Sequence, residues 1–542
     1  MWSWVLGLAL ARPVGPLPTD EDWAAHVSLV DQLGWAASDR QVKAYLKALR
    51  KDRQGPLARS LAEGFRGRMA ERGVPLYAVE AELIDALPGP SRRLVHVRQA
   101  VVYTNRAKVP LSRLTFRLAG AGYHVHPSSA RVLDARVATR PIPYELRGTL
   151  LTLELPEPLR PGHHIRLMLE LLQDLPPIDA TADLADPDAL PAEAVGGQGF
   201  TEDRVHLGGF VAVATRLRDD GSFDERELPP SGEAPSLDPA HFHVVLDLPA
   251  DQTVAASGVR AAHADDEERS THVFAAAAHR DFSAASGRDL DVREVEVDGL
   301  KVRILHPAGE ALMGRHLSRW VKSALPVLID TYGPLSMAEV DLVEAPLHVA
   351  MGLEFHGMAL VDLHHKSGTY LRDKVHAVTV SHELAHQWWS AEVGSDARDA
   401  PWIDEALASH GADLVLEAER GPQAVRARHH EEVVLPTLRL QEEGLADLPA
   451  DLPSEAYDLW RYSVIVYGRA PMFVDRVRQH LGPEAFREAM RGLVARHRGG
   501  QITADDLLRA WRAHTDDPDT IDALHRAWIR EAHAYEGLLE TP

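Results

Sequence analysis

The 542-residue sequence predicts a multidomain α+β protein, in which an antiparallel β-sandwich or saddle-like domain precedes a mainly α-helical domain. The chain is too long for one compact core. Apolar residues alternate with a period of two through residues 77–287, which is typical of half-buried strands. Beyond residue 375 they recur at spacings of three and four, which indicates helices. We therefore predict domains at residues 1–75, 76–287 and 288–542.

Residues 1–75 are predicted to form a helical extension. Apolar side chains recur at helical spacing over 21–51 and again over 57–73, and a Gly-Pro pair separates the two stretches. The first eleven residues are apolar and end in small residues, as in part of a signal peptide, but they lack its positively charged start. They are too short to span a membrane. The sequence leaves an exported and a cytoplasmic protein equally open.

Short strands separated by Gly, Pro and Asn account for most of the second domain. They are predicted at residues 77–86, 92–105, 113–120, 130–138, 149–159, 163–177, 241–258 and 271–287. Residues 183–238, which are rich in Asp, Pro and Gly, are predicted to form long surface loops. The third domain begins with a strand pair at 293–307, a long helix that ends at Gly333, and a strand at 339–346.

Charge and composition exclude several classes of function. The formal net charge is −22 at pH 7, and an acidic surface repels nucleic acids and anionic membranes, so neither is expected as a partner. The absence of cysteine excludes disulfides, thiolate catalysis and cysteine zinc sites, so any metal must be bound by His, Asp or Glu. Adjacent histidines such as His429 and His430 point apart, and we expect them in solvent. No integral membrane span is expected, and the oligomeric state stays open.

A metal site is predicted at the sequence Ser-His-Glu-Leu-Ala-His, residues 381–386. The surrounding segment has helical apolar spacing, so His382 and His386 lie one turn apart on one face and can bind the same zinc ion. Glu383 lies beside them, where it can accept a proton from a metal-bound water. The alternative is a surface helix in which this spacing arises by chance.

A catalytic zinc site needs a third protein ligand, and Glu405 can supply it. Eighteen residues separate it from His386, and Pro401 and Asp404 place it in the first turn of another predicted helix. Two histidines and one glutamate leave the fourth zinc position to water, which is an arrangement of catalytic peptidase sites. The sequence therefore predicts one Zn²⁺ per chain, bound by His382, His386 and Glu405.

The sequence His-Glu-Leu-Ala-His-Gln-Trp-Trp, followed after eighteen residues by the glutamate of Trp-Ile-Asp-Glu-Ala-Leu-Ala-Ser, resembles the aminopeptidase N family of zinc metallopeptidases, the gluzincins. The resemblance covers roughly residues 77–535. It implies a thermolysin-like, mainly α-helical catalytic domain behind the β-rich domain. It also implies peptide substrates with a free amino terminus.

The family binds the α-amine of its substrate through the glutamate of a Gly-x-Met-Glu-Asn motif, which Met-Gly-Leu-Glu-Phe at residues 351–355 resembles. Gly352 and Glu354 are kept, so the resemblance implies that they bind the substrate. Phe355 stands at the asparagine position, which removes an amide group, and His356 stands where many relatives have proline. A cationic amine still favours the Glu354 carboxylate in a dry pocket. The alternative for Glu354 is a solvated loop glutamate.

The family also uses a tyrosine to stabilise the tetrahedral oxyanion, in a Tyr-x-Lys-Gly-type segment after the metal ligands. Tyr467 takes this position in Tyr-Gly-Arg-Ala, where Arg469 and Ala470 replace the lysine and the glycine. The resemblance implies that Tyr467 is catalytic and that Tyr462 is structural. Without the resemblance, a core helix tyrosine is the preferred interpretation of Tyr467.

Together these residues imply a zinc-dependent aminopeptidase that hydrolyses the first peptide bond through a metal-bound water. A zinc endopeptidase with altered amine recognition is one alternative, because Phe355 changes the amine motif. A non-catalytic peptide-binding scaffold is another, and the complete catalytic set argues against it. After Tyr467 the sequence continues for 75 residues, whereas longer relatives add a helical domain that closes over the site. We therefore expect a short form with a more open active site that admits longer peptides.

Overall fold

The computed structural model describes residues 39–49, 51–71, 73–85, 93–118, 130–178, 197–228, 237–347, 350–363, 371–445 and 447–532. Within them a β-rich part precedes a mainly helical part, which confirms the predicted fold class. The candidate signal segment at residues 1–11 lies outside the described residues. None of the helices in the described ranges combines the length and the apolar character that a membrane crossing requires.

The N-terminal segment contains helix α1 (Asp39–Leu49), the four-residue helix α2 (Pro56–Arg59) and a 3-10 helix (Glu63–Ala70). The second predicted helix, residues 57–73, is wrong as a continuous α-helix, because Gly64 and Gly67 disfavour helical backbone. Apolar side chains of the segment pack on the β-rich part. The buried cluster that they form with strand residues includes Leu57, Leu61, Met69, Ala78 and Ala100.

The strands of the described chain confirm the predicted alternation. In order they are β1 (Leu76–Asp85), β2 (Arg93–Thr104), β3 (Leu111–Arg117), β4 (Ala130–Val137), β5 (Arg140–Pro141), β6 (Tyr144–Arg147), β7 (Leu150–Leu159), β8 (His164–Leu175), β9 (Gln198–Phe200), β10 (Arg204–Leu207), β11 (Val213–Ala214), β12 (Ala240–Pro249), β13 (Thr253–Ala256), β14 (Val259–Asp265), β15 (Arg269–His279), β16 (Ala284–Gly287), β17 (Leu290–Val297), β18 (Leu300–Pro307), β19 (Glu339–Glu344), β20 (Gly352–Phe355) and β21 (Met358–Val361).

Strands β1 to β16 form three sheets. One has the order β14-β15-β12-β1-β2-β8-β4-β5, and the others have the orders β13-β16-β10-β9 and β11-β3-β7-β6. Pairing is antiparallel, as predicted, except between β1 and β12, which run parallel. Parallel pairing needs a long connection that returns the chain to the same end of the sheet, and β2 to β11 lie in that connection. Apolar residues of the eight-stranded sheet and of the β11-β3-β7-β6 sheet share one buried core.

The prediction of long surface loops over residues 183–238 is wrong for the described segment 197–214. This segment contains β9, β10 and β11, and most of its residues are buried. Its glycines serve close backbone contact, because a Cβ at Gly208 would lie 2.5 Å from the carbonyl oxygen of Gly197. In this segment, the composition that we interpreted as surface loops belongs to short, tightly packed strands.

The rest of the chain combines a five-stranded sheet, in the order β17-β18-β19-β21-β20, with a helical region. The α-helices are α3 (Ala311–Tyr332), α4 (Leu371–Ala385), α5 (Trp402–Arg420), α6 (Pro422–His429), α7 (Leu435–Glu442), α8 (Leu459–Val464), α9 (Ala470–Leu481), α10 (Pro483–His497), α11 (Ala504–Arg512) and α12 (Pro518–His525). Short π-helical segments are His430–Val434, Ile465–Arg469 and Arg526–Arg530, and a 3-10 turn is Ser454–Ala456. The predicted strand pair, long helix and helical C-terminal region are confirmed.

A buried arginine holds the β-rich part against the helical part. Arg280 follows β15 and is 5% exposed. Its guanidinium donates hydrogen bonds to the carbonyl oxygens of Leu237 (2.5 Å), Ala391 (2.7 Å) and Gly500 (2.5 Å). Burial lowers the pKa of Arg280 to about 10, so the group stays charged at neutral pH. Charge-assisted hydrogen bonds are stronger than neutral ones, so this residue fixes the relative position of the two parts.

Asp413 on α5 is the centre of a buried ion-pair cluster. Its carboxylate accepts hydrogen bonds from Arg428 and, at 2.7 Å, from His429. The expectation that His429 lies in solvent is therefore wrong, because a partner 16 residues earlier draws the ring inward. Burial opposes ionisation of Asp413, but Arg428 and His429 hold the pKa of this carboxyl well below its usual range.

We predict that Asp413→Asn lowers the free energy of unfolding by about 3 kcal/mol near neutral pH, because it removes the buried carboxylate that pairs with Arg428 and His429. A depressed carboxyl pKa adds stability above the unfolded-state pKa of about 3.9, and this stability is lost as the pH falls through the folded-state pKa. The difference between wild type and variant should therefore shrink as the pH is lowered below about 4. Urea unfolding across this pH range measures it. The exposed Asp516→Asn is the matched control, and equal losses in both variants would contradict the prediction.

Candidate active site

His382 and His386 lie at the carboxyl-terminal end of α4. The helix ends at Ala385, and His386 continues the last turn by donating its amide hydrogen to the carbonyl of His382 (3.1 Å). The two Nε2 atoms lie 3.0 Å apart, and the ring planes are inclined at 84°. Residues four apart on a helix share a face, so the structure brings these two side chains together as their spacing predicts.

Glu405 lies in the first turn of α5, after Pro401. Its Oε2 atom is 3.3 Å from Nε2 of His382 and 3.5 Å from Nε2 of His386. Ligand atoms at about 2.0–2.1 Å on a tetrahedral zinc ion are about 3.3 Å from one another. The three atoms therefore fit one face of a zinc tetrahedron, and two imidazoles with one carboxylate are donors that suit this metal. In the described part of the chain, these three residues form a group whose ligand atoms all lie within 4.8 Å of one another.

The second ring nitrogens of both histidines also have partners. Nδ1 of His386 lies 3.1 Å from the carbonyl oxygen of Trp389, which can only accept, so this nitrogen carries the hydrogen. Nδ1 of His382 lies 3.2 Å from Oγ of Ser409, one turn after Glu405 on α5. The Trp389 contact favours the tautomer in which Nε2 of His386 presents its lone pair to a metal, and the Ser409 hydroxyl is able to accept from Nδ1 of His382 in the same way. Burial lowers the pKa of His382, which also favours the neutral ring.

Tyr467 lies in the π-helical segment that follows α8, and its hydroxyl donates a 2.6 Å hydrogen bond to Oε1 of Glu405. Oε2 of the same carboxylate is thereby left to face the histidines. Burial opposes ionisation of Glu405, but the neighbouring side chains of His382 and His386 outweigh it and lower its pKa to about 2. Tyr467 is 38% exposed, whereas Tyr462 is buried and lies edge-on against it. The exposed tyrosine is the one that a substrate can reach.

Glu383 lies on α4 beside strand β20. A Cβ at Gly352 would be 2.1 Å from Oε1 of Glu383, so only glycine leaves room for the carboxylate. The Oε2 atom is buried and has no hydrogen-bond partner among the described residues. Burial raises the pKa of Glu383 well above its usual value, and the carboxylates of Glu354 and Glu405 raise it further. A raised pKa makes the carboxylate a stronger base.

Glu354 on β20 adds another buried carboxylate to the site. Its Oε1 atom lies 3.9 Å from Nδ1 of His386, and its side chain is 9% exposed. Burial lowers the pKa of His386, but Glu354 and Glu405 outweigh burial and raise it well above its usual value. Asp404 is buried as well, and burial together with Glu405 raises its pKa to about 7. The cluster therefore carries more carboxylates than cations, an arrangement that bound cations stabilise.

Phe355 and His356, the two departures from the amine-binding motif, both pack against the β-rich part. A Cβ at Gly208 would lie 2.8 Å from Cζ of Phe355, so the ring covers bare glycine backbone. His356 stacks on His279 with ring centroids 4.0 Å apart. The strand that carries Glu354 is thus held by apolar and ring contacts at the position where the family motif has an amide.

The structure brings all seven predicted site residues into one cluster. They are Gly352, Glu354, His382, Glu383, His386, Glu405 and Tyr467. Sequence reasoning missed Ser409, although its spacing of four from Glu405 marks the same helix face. It also missed Gln387 and Asp281, whose hydrogen-bond partners are 30 to 75 residues away in the chain and leave no local pattern.

Comparison with known proteins identifies a family model and several similar sequences. The sequence model of the peptidase family M1 domain matches residues 331–528. Aminopeptidase M1 of Arabidopsis thaliana is 21% identical over 244 residues, which are 43% of this chain and 27% of that protein. Aminopeptidase N of Lactobacillus delbrueckii subsp. lactis is 28% identical over 146 residues, 26% of this chain and 17% of that protein. The matched region is therefore less than a third of the length of these relatives.

Solved structures resemble the fold over most of its length. A variant M1 zinc metallopeptidase from Deinococcus radiodurans gives a TM-score of 0.61 at 20% identity, covering 85% of this chain and 95% of that chain. A second structure of a variant of that enzyme, bound to a Tyr-Ser-Ala substrate, gives a TM-score of 0.59 at 20% identity, covering 84% and 94%. At this level of identity the likeness establishes a shared fold.

We predict that the protein binds one zinc ion per chain and that His386→Ala abolishes stoichiometric binding. Ser409→Ala removes a contact to a ligand and should weaken zinc affinity by about 10–100-fold. Zinc content after dialysis, and competition with a chelator of known affinity, measure both effects. His430→Ala replaces an exposed histidine and is the control, in which the zinc content and the zinc affinity should be unchanged. A full zinc complement in His386→Ala would place the metal elsewhere.

Proposed function

The chain belongs to peptidase family M1, the aminopeptidase N family of zinc metallopeptidases, and from this premise we propose that it is a zinc-dependent aminopeptidase. The proposed reaction is hydrolysis of the first peptide bond of peptides with a free amino terminus. One observation carries the proposal: a three-residue ligand set, a buried base and a further buried carboxylate meet in one cluster. Zinc is the cofactor that the family implies, and the ligand set fits it.

Bound by His382, His386 and Glu405, zinc would supply a Lewis acid for the scissile carbonyl and the attacking water. Glu383 accepts the proton of that water and returns it to the leaving amine. The buried, unpartnered Oε2 atom of Glu383 supports this role, since it is an acceptor without a competing hydrogen bond among the described residues. Exclusion of water around this carboxyl keeps its basicity high.

Tyr467 donates a hydrogen bond to the oxyanion that develops on the scissile carbonyl. Its hydroxyl already lies beside the ligand set, 2.6 Å from Oε1 of Glu405, and the side chain is partly exposed. A phenol donor held close to the developing charge lowers the barrier without reorganising during the reaction. Its hydrogen bond to Glu405 orients it before the substrate binds.

Glu354 binds the α-ammonium of the substrate and so selects the first peptide bond. Its carboxylate lies 3.9 Å from a ring nitrogen of the ligand His386. One extended residue spans about 3.4 Å, and Glu354 contacts the ring of a metal ligand, which supports placement of the first carbonyl near the metal when the ammonium is bound at Glu354. Gly352 contributes backbone, and its missing side chain keeps room for the Glu383 carboxylate.

A zinc endopeptidase with altered amine recognition is the second candidate. Phe355 favours it, because an apolar ring stands where the family motif has an amide and packs on the backbone of the β-rich part. The two candidates differ in how they treat a blocked amine. An aminopeptidase rejects an N-acetylated substrate, and an endopeptidase does not require a free amine.

We predict that the zinc-loaded protein hydrolyses aminoacyl fluorogenic amides only when their amine is free, and that Glu383→Gln lowers kcat by more than about 1000-fold while zinc stays bound. Initial rates on a panel of free and N-acetylated substrates measure this. Equal turnover of the acetylated substrates would favour the endopeptidase. No turnover of any substrate by the zinc-loaded wild type would contradict both.

We predict that Gly352→Ala lowers kcat by about 100-fold, because the new methyl group would displace the Glu383 carboxylate and so misplace the base. Zinc binding should be unchanged, since the three atoms nearest to the added Cβ all belong to Glu383, which is not one of the proposed metal ligands. Gly492→Ala, where a Cβ meets nothing within 4 Å, is the control and should keep full activity. Wild-type kcat in Gly352→Ala would mean that Glu383 tolerates the displacement.

A further inference from the structure

We propose that Gln387 is a positioning residue that fixes the amine-binding strand at a set distance from the metal ligands. This inference rests on the proposed aminopeptidase function. Gln387 directly follows the ligand His386 in the chain and is 1% exposed. Its side chain is therefore a buried amide that the backbone joins directly to one of the proposed metal ligands.

The side-chain amide of Gln387 binds the turn that joins β20 to β21 at two atoms. Its Nε2 donates to the carbonyl oxygen of Phe355 at 3.1 Å. Its Oε1 accepts from the backbone amide of Gly357 at 2.9 Å. A planar amide with two hydrogen bonds fixes both the position and the orientation of its partner. Phe355 is the residue directly after Glu354, so the amine-binding carboxylate is one peptide unit from this contact.

The β-rich part holds the same turn from another direction. Oδ1 of Asp281 accepts from the backbone amide of His356 at 3.2 Å, and the backbone amide of Arg280 donates to Nδ1 of His356 at 3.2 Å. Three consecutive residues, from Phe355 to Gly357, are therefore bound by side chains or backbone from two parts of the fold. The turn has one position relative to the metal ligands, and Gln387 is the direct link between them.

This link matters for the reaction because aminopeptidase action depends on a fixed distance between the carboxylate that binds the amine and the metal. The amine must lie at Glu354 while the first carbonyl lies at the metal, and misplacement by about 1 Å costs about 100-fold in rate. Loss of the Gln387 contacts would free Glu354 to move without changing any ligand atom. The metal site and its base would remain, and selection of the amine would weaken.

A matched control exists in the β-rich part. Gln99 is also 1% exposed and binds one backbone unit at two atoms in the same way. Its Nε2 donates to the carbonyl oxygen of Ala212 at 2.8 Å, and its Oε1 accepts from the amide of Ala212 at 3.1 Å. Gln99→Met and Gln387→Met each remove two side-chain hydrogen bonds to the backbone from an equally buried position. Only the second contacts the amine-binding turn.

The experiment compares zinc-loaded wild type, Gln387→Met and Gln99→Met on paired substrates that differ only in N-acetylation. We expect Gln387→Met to raise KM for the free-amine substrate and to lower the preference for the free amine by about tenfold or more, with zinc content unchanged. Gln99→Met should keep the wild-type preference. Gln387→Glu keeps the acceptor for Gly357 but replaces the donor to Phe355, and should lose part of the preference; it also serves if the methionine variant does not fold.

An unchanged amine preference in folded, zinc-loaded Gln387→Met and Gln387→Glu would overturn the inference while leaving the aminopeptidase proposal intact. An equal loss of preference in Gln99→Met would also overturn it, because the effect would then be a general loss of stability. A wild type without any preference for the free amine would overturn both the proposed function and this inference.

Discussion

The active site depends on an excess of buried carboxylates over cations. Glu354, Glu383, Asp404 and Glu405 are buried or nearly so around two histidines. Ionised carboxylates in a region of low dielectric repel one another, and the raised pKa values of Glu383 and Asp404 reflect this repulsion together with burial. A divalent metal and the ammonium of the proposed substrate would compensate that charge. The same imbalance that is unfavourable for folding therefore favours binding of the two cations that the proposed reaction needs.

The β-rich part contributes to the site as well as to the fold. Arg280 ties it to the helical part through the carbonyl oxygens of Ala391 and Gly500, and the next residue, Asp281, binds the turn beside Glu354. Phe355 covers the backbone of Gly208 on the other side of that strand. Because these contacts come from a separate set of sheets, the distance between the proposed amine-binding carboxylate and the proposed metal ligands depends on how the two parts pack. A change in that packing would alter where a bound peptide substrate lies relative to the proposed metal ligands.

Much of the fold follows from local patterns. The period-two alternation identified most strands, helical spacing identified the C-terminal region, and the family resemblance drawn from the motif residues is confirmed by the comparisons. The sequence-based predictions are wrong where the burial of a residue leaves no pattern in the neighbouring sequence. The segment 197–214 has a loop-like composition, but its glycines pack closely as short strands. His429 has an exposed neighbour in the chain, yet Asp413 draws it into the interior.

The sequence by itself determined the two histidines, the base between them and the third ligand, because helical spacing of four places side chains on one face and the motif carries a known separation to Glu405. Tertiary structure decided how these groups meet β20, the strand that carries Glu354. Gln387 binds residues 30 and 32 positions earlier, and Asp281 binds one 75 positions later. Such contacts arise from packing of sheets and helices that are distant in the chain, and no periodicity or spacing in the sequence encodes them.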